Sequence, residues 1–312
     1  MKNNYTPAVE PTLYFIGVTT KQSSIMKVFP KWAEALGLNA VIKGFDFAPH
    51  SSAREYREAV EFIKHDPLSL GALVTTHKID LFNTCKDLFE YVDPYAEQLG
   101  EVSSISKKDG KLCAHAKDPI SSGLALEDFV PDNYWADYGG DVLLLGAGGS
   151  SLAMSVYFAQ EKFGNNVPKK IIIANRSIPR LESAKKILDG IRPEIQFEYV
   201  HNPTPEDNDR TLASLKPHSL IVNATGLGKD LPGSPLTDAC VFPKDSLVWE
   251  INYRGDLLFY RQAMDQAKEQ NLRVEDGWIY FIHGWTQVIA EVFHIQIEGE
   301  MLNKLSEIAK MA

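Results

Sequence analysis

The sequence has few of the features that mark a metalloprotein, a secreted protein or a membrane protein. Its three cysteines, Cys85, Cys113 and Cys240, form no CxxC or CxxH pattern, so we expect neither a disulfide framework nor a metal site. No stretch of about 18 apolar residues occurs, which argues against a membrane-spanning helix. The N-terminal residues lack the apolar core of a secretion signal, and cytoplasmic localisation is therefore expected.

An excess of positive charge is also missing. The 312 residues include 41 acidic and 32 basic side chains, which gives a net charge of −9. Such a charge repels polyanions and argues against nucleic acid or an anionic membrane surface as the main partner. We therefore expect a small-molecule substrate. The sequence leaves open whether the chain acts as a monomer or as a homodimer.

Short β-rich runs alternate with helical patterns along the chain in two series, which begin at Leu13 and near Asp141. This alternation predicts α/β domains with mostly parallel sheets and helices on their faces. The predicted strands of the first series are LYFIGV, AVIKGFDF and GALVTT, and those of the second are VLLLG, IIIAN, FEYVH, LIVNAT and LVWEIN.

The chain is about twice as long as a typical domain, which favours two domains. The proline- and glycine-punctuated segment PDNYWADYGGD, residues 131–141, is the predicted boundary. Two amphipathic helical patterns after Asp276 end the chain, and we expect them to pack back on the first domain. The prediction is an α/β fold with an N-terminal domain over 1–134, a second α/β domain over 135–276 and returning helices over 277–312.

The strand of the second series that reads VLLLG runs into a glycine-rich turn and then a helical pattern, GAGGSSLAM. In a nucleotide-binding βα turn, Gly146 permits the tight turn and Gly148 lets a pyrophosphate approach the backbone at the helix N-terminus. The third glycine of such a pattern is replaced by Ser151, which is still small enough for close packing of helix on strand. Glycine-rich turns also occur for structural reasons alone, so this motif needs support from elsewhere in the chain.

That support comes from the next strand, which ends at Asn175. An NAD-binding domain is expected to carry an acidic residue near this point for the ribose hydroxyls. Here Arg176 and Arg180 follow instead, with Ser177 between them. Two guanidinium groups suit a 2′-phosphate, so the sequence predicts NADP as the cofactor, although a solvated helix start is the plainer alternative.

Several separated motifs resemble those of the shikimate and quinate dehydrogenase family. With the glycine loop, they are NRS at 175–177, NATGLG at 223–228 and EDGWIYFIHG at 275–284. LVTTHK, ending at Lys78, is similar to the family segment that ends the first sheet. EVSS at 101–104 and AKDPIS at 116–121 look like two further family segments. The resemblance spans nearly the whole chain, from about Gly17 to the last helices.

The resemblance implies a substrate-binding catalytic domain followed by a Rossmann NADP-binding domain, with Lys78 and Asp118 as the catalytic pair. A lysine within hydrogen-bond reach of the substrate oxygen can deliver or accept the proton that accompanies hydride transfer, and Asp118 would orient its ammonium group. The expected cofactor-binding residues are Gly146, Ala147, Gly148, Gly149, Ser150, Asn175, Arg176, Ser177, Arg180, Ala224, Thr225 and Gly226.

The substrate motifs depart from the family pattern. Leu73, Ser103 and Ala116 stand where the family has asparagines, and the family glutamine aligns with either His283 or Gly284. The sequence therefore leaves open either shikimate or a different acid as the substrate, since a site that lacks hydrogen-bond partners binds a polyol poorly. The expected substrate-binding residues are Lys21, Ser23, Thr75, Ser103, Tyr253 and His283.

The leading hypothesis is an NADP-dependent oxidoreductase that acts on a small polar hydroxy or keto acid, either shikimate-like or different. A non-catalytic sensor of NADP or of a metabolite is the alternative that the broken substrate motifs motivate. A two-domain dehydrogenase acting on folate one-carbon units is a third hypothesis, and it fits the arginine pair and NATGLG less well.

Overall fold

The computed structural model describes residues 5–229 and 231–311, which divide into two compact units. The first contains the chain up to Lys117 together with the residues from Gly284 onward, and the second runs from Asp118 to His283. Each unit has its own six-stranded sheet. The buried apolar side chains line both sheets, so each unit has a core of its own.

The sheet of the first unit has the order β2-β1-β3-β5-β6-β4. The first three strands are parallel, whereas β5 lies antiparallel to β3 and to β6. The strands are β1 (Thr12–Gly17), β2 (Val41–Asp46), β3 (Ser69–Val74), β4 (Tyr91–Val92), β5 (Ser104–Lys108) and β6 (Lys111–His115), and the helices are α1 (Ile25–Leu36), α2 (Ala53–His65), α3 (Lys78–Cys85) and α4 (Pro94–Leu99).

The hairpin of β5 and β6 is absent from the sequence prediction, although its turn carries a recognisable signal. Asp109 and Gly110 both have positive φ angles, 52° and 75°. Asp-Gly in that conformation forms the tight turn that suits the twist of an antiparallel pair. Because β5 is antiparallel to β3, its first residue lies at the carboxyl edge of the sheet, where β6 also ends.

The second unit has an all-parallel sheet with the order β12-β11-β10-β7-β8-β9. Two halves are wound outward from β7 and β10, which is the doubly wound arrangement of a Rossmann domain. The strands are β7 (Val142–Leu145), β8 (Lys170–Asn175), β9 (Gln196–His201), β10 (Leu220–Asn223), β11 (Leu247–Glu250) and β12 (Arg273–Glu275), and the helices are α5 (Asp118–Phe129), α6 (Tyr134–Tyr138), α7 (Gly149–Phe158), α8 (Ile178–Leu188), α9 (Pro205–Ala213) and α10 (Leu258–Gln270).

The second unit begins earlier than the predicted boundary at 134/135. Helix α5 packs against α7, where Gly123 faces Tyr157 so closely that an added Cβ would lie 2.2 Å from the ring. The Tyr157 hydroxyl also donates to Glu127 Oε1 at 2.8 Å. These contacts attach residues 118–129 to the second unit. The predicted boundary segment contains α6, whose Trp135 packs edge-on against Phe158 at 5.6 Å.

The last two helices are α11 (Trp278–Phe293) and α12 (Gly299–Lys310). Helix α12 packs on α1, where the Trp32 indole donates to the Leu305 carbonyl at 2.8 Å. The expected return of the C-terminal helices to the first domain is therefore confirmed. The division between the units falls within α11, after His283, rather than at the predicted 276/277.

Candidate active site

Three of the expected residues, Thr75, Ser103 and Lys78, lie at the carboxyl edge of the first unit's sheet. Thr75 follows β3, and both its N–H and its hydroxyl donate to the Ile16 carbonyl, at 3.0 and 3.2 Å. Ser103 directly precedes β5, and Lys78 begins α3 three residues after Thr75. The parallel pairing of β1 with β3 and the antiparallel pairing of β5 bring these chain segments to one edge.

Lys78 is held by backbone contacts on both sides. Its N–H donates to the Thr75 carbonyl at 3.0 Å, and its carbonyl accepts from the Val102 N–H at 3.2 Å. The preceding residue, His77, is buried, and its Nδ1 lies 2.8 Å from the Tyr56 hydroxyl. Burial lowers the pKa of His77.

Ser103 connects the lysine segment to the segment that leads into Asp118. The Val102 N–H bonds to Lys78, the Ser103 N–H donates to the His115 carbonyl at 2.9 Å, and Ser103 Oγ accepts from the Lys117 N–H at 2.7 Å. Both the N–H and the hydroxyl of Ser103 are thus bonded to the backbone of the segment 115–117. Asp118 begins α5 with 9% of its surface exposed, and its carbonyl accepts from the Ser122 hydroxyl at 2.7 Å.

A half-buried cluster of His115, Lys117 and Glu291 supports the same segment, and it was not predicted from the sequence. His115 Nε2 lies 3.2 Å from Ser106 Oγ and 3.3 Å from Glu291 Oε1, and the Lys117 ammonium pairs with the other oxygen of Glu291. Although burial acts to raise it, the pKa of Glu291 is lowered by Lys117 and His115. The cluster ties α11 to the residues before Asp118.

Lys21 and Ser23 lie in the loop after β1. Lys21 is exposed within a short 3₁₀ helix, Thr20–Gln22, and Ser23 is half-buried immediately after it. The loop is anchored by Thr20, whose N–H and hydroxyl both donate to Asp46 Oδ1, at 2.8 and 2.6 Å. Asp46 ends β2, so this loop also belongs to the carboxyl edge of the sheet.

In the second unit, the glycine turn lies where the winding of the sheet reverses. Leu145 ends β7 and pairs with Asn223, which ends β10. Gly146 has a φ of 108°, and a Cβ on it would lie 2.7 Å from the Ala224 carbonyl oxygen. A Cβ on Gly148, which precedes α7, would meet nothing within 4 Å. This open space at a helix N-terminus fits a dinucleotide pyrophosphate.

The two glycines should therefore respond differently to replacement by alanine. Gly146→Ala is expected to lower the free energy of unfolding by about 1–3 kcal/mol, because it strains the backbone and meets Ala224. Gly148→Ala, with an extended backbone, is expected to change it by less than about 0.5 kcal/mol but to weaken NADPH binding. Urea denaturation and nicotinamide fluorescence measure the two effects. An equal loss of stability in both variants would contradict this assignment.

The arginines predicted to read the 2′-phosphate follow β8. Arg176 and Arg180 are exposed, and among residues 5–229 and 231–311 neither guanidinium has an ion-pair partner. Ser177 is the N-cap of α8, and its carbonyl accepts from Asn175 Nδ2 at 3.3 Å. The pair thus lies at the carboxyl end of the strand beside β7, where a Rossmann domain binds the ribose of its cofactor.

The Ala224–Gly226 loop follows β10 and reaches back to the glycine turn. The Ala224 N–H donates to the Leu145 carbonyl at 2.8 Å. Thr225 is exposed, and both its N–H and its hydroxyl donate to Asn223 Oδ1, at 3.1 and 2.7 Å. The neighbouring strand ends with a buried acid, Glu250, which contacts Asn223. The sequence reasoning missed Glu250, whose signal is an acidic residue at the carboxyl end of an apolar strand.

Tyr253 and His283 are both held by side chains of the second unit. The ring of Tyr253 packs on Phe281 with centroids 4.5 Å apart, and the Lys229 ammonium lies 5.9 Å from its centre. His283 Nε2 is 2.9 Å from Asp128 Oδ2. By contrast, a Cβ on Gly284 would meet nothing within 4 Å. The two alignments of the family glutamine therefore differ in surroundings: position 283 is filled and position 284 is open.

The described ranges contain neither a metal-binding cluster nor a membrane-spanning helix. No group of three or more His, Cys, Asp or Glu residues there is arranged to hold a metal ion. Nor does any helix in these ranges have the length and apolar character needed to span a bilayer. The pocket that lies between β8, β9 and α9 is lined by polar side chains such as Lys170 and Glu198, and it is remote from the glycine turn in sequence.

Comparison with known proteins finds similarity to shikimate and quinate dehydrogenases. No protein-family model matches the chain. A curated shikimate dehydrogenase (NADP(+)) from Bacillus cereus is 27% identical over 228 residues, which are 72% of this chain and 73% of that protein. The motif resemblance to the shikimate and quinate dehydrogenases is thereby confirmed.

Solved structures agree on the fold. Quinate dehydrogenase from Corynebacterium glutamicum in complex with NAD gives a TM-score of 0.75 at 18% identity, over 97% of this chain and 99% of that one. Shikimate dehydrogenase from Aquifex aeolicus gives 0.73 at 22% identity, over 98% and 100% of the two chains. The predicted α/β architecture with two sheet domains is confirmed.

Proposed function

Because the chain is a relative of the shikimate and quinate dehydrogenases, we propose that it is an NADP-dependent oxidoreductase acting on a CH–OH group of a small polar acid. The observation that carries the proposal is the open glycine turn at the reversal of the second sheet, with two exposed arginines after the next strand. The curated relative is an NADP(+) enzyme by name, and the arginine pair supports the same cofactor here.

When bound, the nicotinamide supplies or accepts the hydride. The chain itself must manage the proton on the substrate oxygen, and we assign that task to Lys78. A lysine ammonium is the ordinary form at pH 7 and can donate to the oxygen as a carbonyl is reduced. In the opposite direction, the neutral amine accepts the hydroxyl proton. Asp118 orients the ammonium, a role that the family resemblance implies.

The substrate is a hydroxy or keto acid, shikimate-like or of a different structure. Ser103, in place of a family asparagine, has its hydroxyl committed to the Lys117 N–H. In one of the two alignments, Gly284 takes the position of the family glutamine, and the space beside it is open. Both features reduce the number of side-chain hydrogen-bond partners for a substrate with several hydroxyl groups. A monomeric or homodimeric state, cytoplasmic localisation and the lack of a nucleic-acid partner belong to the same proposal.

The test is an assay of purified protein for NADP reduction with shikimate, quinate and a panel of small hydroxy acids, and for NADPH oxidation with the matching keto acids. We expect turnover with at least one of these compounds and preference for NADP over NAD. Tight NADPH binding without turnover on any of them would instead favour the non-catalytic sensor. Failure to bind NADPH would contradict both the oxidoreductase and a sensor of NADP.

A further inference from the structure

A buried carboxylate sits beneath the loop that follows β10. Glu250, the last residue of β11, is fully buried and pairs in register with Asn223. Its Oε2 accepts from Asn223 Nδ2 at 2.6 Å. Its Oε1 accepts from the N–H and the Nδ2 of Asn252, at 2.9 and 2.6 Å. Among the residues that the structure describes, every hydrogen bond to this carboxylate is therefore donated by an amide.

These bonds fix which way the Asn223 amide faces. A carboxylate only accepts, so the NH₂ group of Asn223 must point at Glu250 and its oxygen must point away. That oxygen accepts from the N–H and hydroxyl of Thr225, whose Oγ1 in turn accepts from the Leu227 N–H at 3.1 Å. Glu250 thus fixes the orientation of the Asn223 amide, which determines the hydrogen bonds of Thr225 and, through Thr225, that of Leu227.

We propose that Glu250 is a positioning residue for the cofactor: acting through Asn223, it holds the Ala224–Gly226 loop in the shape that receives the nicotinamide half. The inference rests on the proposed function, because it takes this loop as part of the cofactor site. Glu250 itself is buried and acts through the asparagine, so it has no direct part in the chemistry.

The charge of Glu250 makes the arrangement sensitive to pH. Burial, with a smaller contribution from the charge of Asp276, raises the pKa of Glu250 to about 7, although the hydrogen bonds from Asn252 and Asn223 act to lower it. Asp276 is the charged group that acts on Glu250 within the described ranges. Protonation would place an O–H among donors and break one bond. The affinity for NADPH should therefore fall as the pH drops through about 7.

Stability should follow the opposite trend. The folded pKa of Glu250 lies above the value of a free glutamate, so its folded protonated form is relatively favoured. Its contribution to the free energy of unfolding therefore declines as the pH rises from below 4.5 toward neutrality. If the affinity for NADPH increases with pH over this range, the increase therefore does not come from a change in global stability.

The decisive variant is Glu250→Gln. In this variant the NH₂ group of the glutamine must face the donors of either Asn223 or Asn252. At least one of the hydrogen bonds from these asparagines is therefore lost. We expect faster amide hydrogen exchange at residues 224–228 in the ligand-free protein and an NADPH dissociation constant raised about tenfold at pH 8. The dissociation constant of this variant should change less between pH 6 and pH 8 than that of the wild type, which should increase several-fold on acidification; the 2′-phosphate titrates equally in both.

Two other variants complete the experiment. Glu275→Gln removes a carboxylate from β12, which pairs with β11 at Trp249, without touching the asparagines, and should leave both measurements unchanged. Thr225→Val breaks the last link at an exposed position, so folding should be retained while loop exchange increases. Wild-type exchange and wild-type pH dependence in Glu250→Gln would overturn the role of Glu250 alone. Absence of NADPH binding by the wild type would overturn the proposed function and this role together.

Discussion

Replacement of Lys78 by alanine is expected to lower kcat by about 10²–10⁴-fold, the range typical of losing a positioned general acid or base. The dissociation constant of NADPH should stay at the wild-type value, because Lys78 belongs to the first unit and the glycine turn to the second. Steady-state assays on the best substrate of the panel, with fluorescence titration of NADPH, separate the two quantities.

Two variants sharpen this prediction. Lys78→Arg keeps the positive charge but holds its proton too tightly to release it, so it should recover little of kcat. Lys111→Ala removes an exposed lysine at the start of β6, the opposite end from the candidate site, and should retain full activity. A Lys78→Ala enzyme with wild-type kcat would eliminate the lysine from proton transfer, and an active Lys78→Arg enzyme would reduce its role to charge.

Loss of Arg176 and Arg180 together is expected to reduce the preference for NADP over NAD by ten- to a hundredfold or more. Each hydrogen bond from a guanidinium to a phosphate is worth about 1.5–3 kcal/mol. The KM for NADP should rise while that for NAD stays nearly constant, since NAD lacks the 2′-phosphate. The ratio of kcat/KM for the two cofactors, measured for each single variant and the double variant, gives the contribution of each arginine.

Lys186→Ala is the matched control, because Lys186 is an exposed cation in the last turn of the same helix. It changes the net charge by one unit, as each single arginine variant does, without altering the first turn. If Lys186→Ala shifted the cofactor ratio as much as Arg176→Ala, the preference would reflect the overall field of the domain instead of a phosphate contact.

The features that were predictable from sequence are those whose backbone leaves a local signature. Gly146 needs a φ of 108°, and such a requirement is visible as glycine after an apolar strand. The alternation of strands and helices identified the two α/β series for the same reason. The β5 and β6 hairpin was missed although Asp109-Gly110 marks it, because its short strands lack an apolar alternation strong enough to compete with a loop.

Features that depend on contacts between distant residues could not be predicted. The link of His283 to Asp128 joins positions 155 residues apart, and nothing near either one indicates it. Without that contact, the sequence does not determine which face of α11 is turned toward its neighbours. The family glutamine then aligns equally well with His283 and with Gly284. The Asn223 and Glu250 pair is similarly invisible until β10 and β11 are known to be neighbours.

The close contact of Gly123 with Tyr157 constrains the design of chimeras between this chain and its relatives. Through it, the helix that starts with Asp118 is built into the dinucleotide-binding part, while Lys78 is built into the other part. A chimera that imports the substrate-recognising portion of a relative would therefore bring a new lysine and retain the host aspartate. It would also need two donor segments, one from each end of the chain, to carry a complete module.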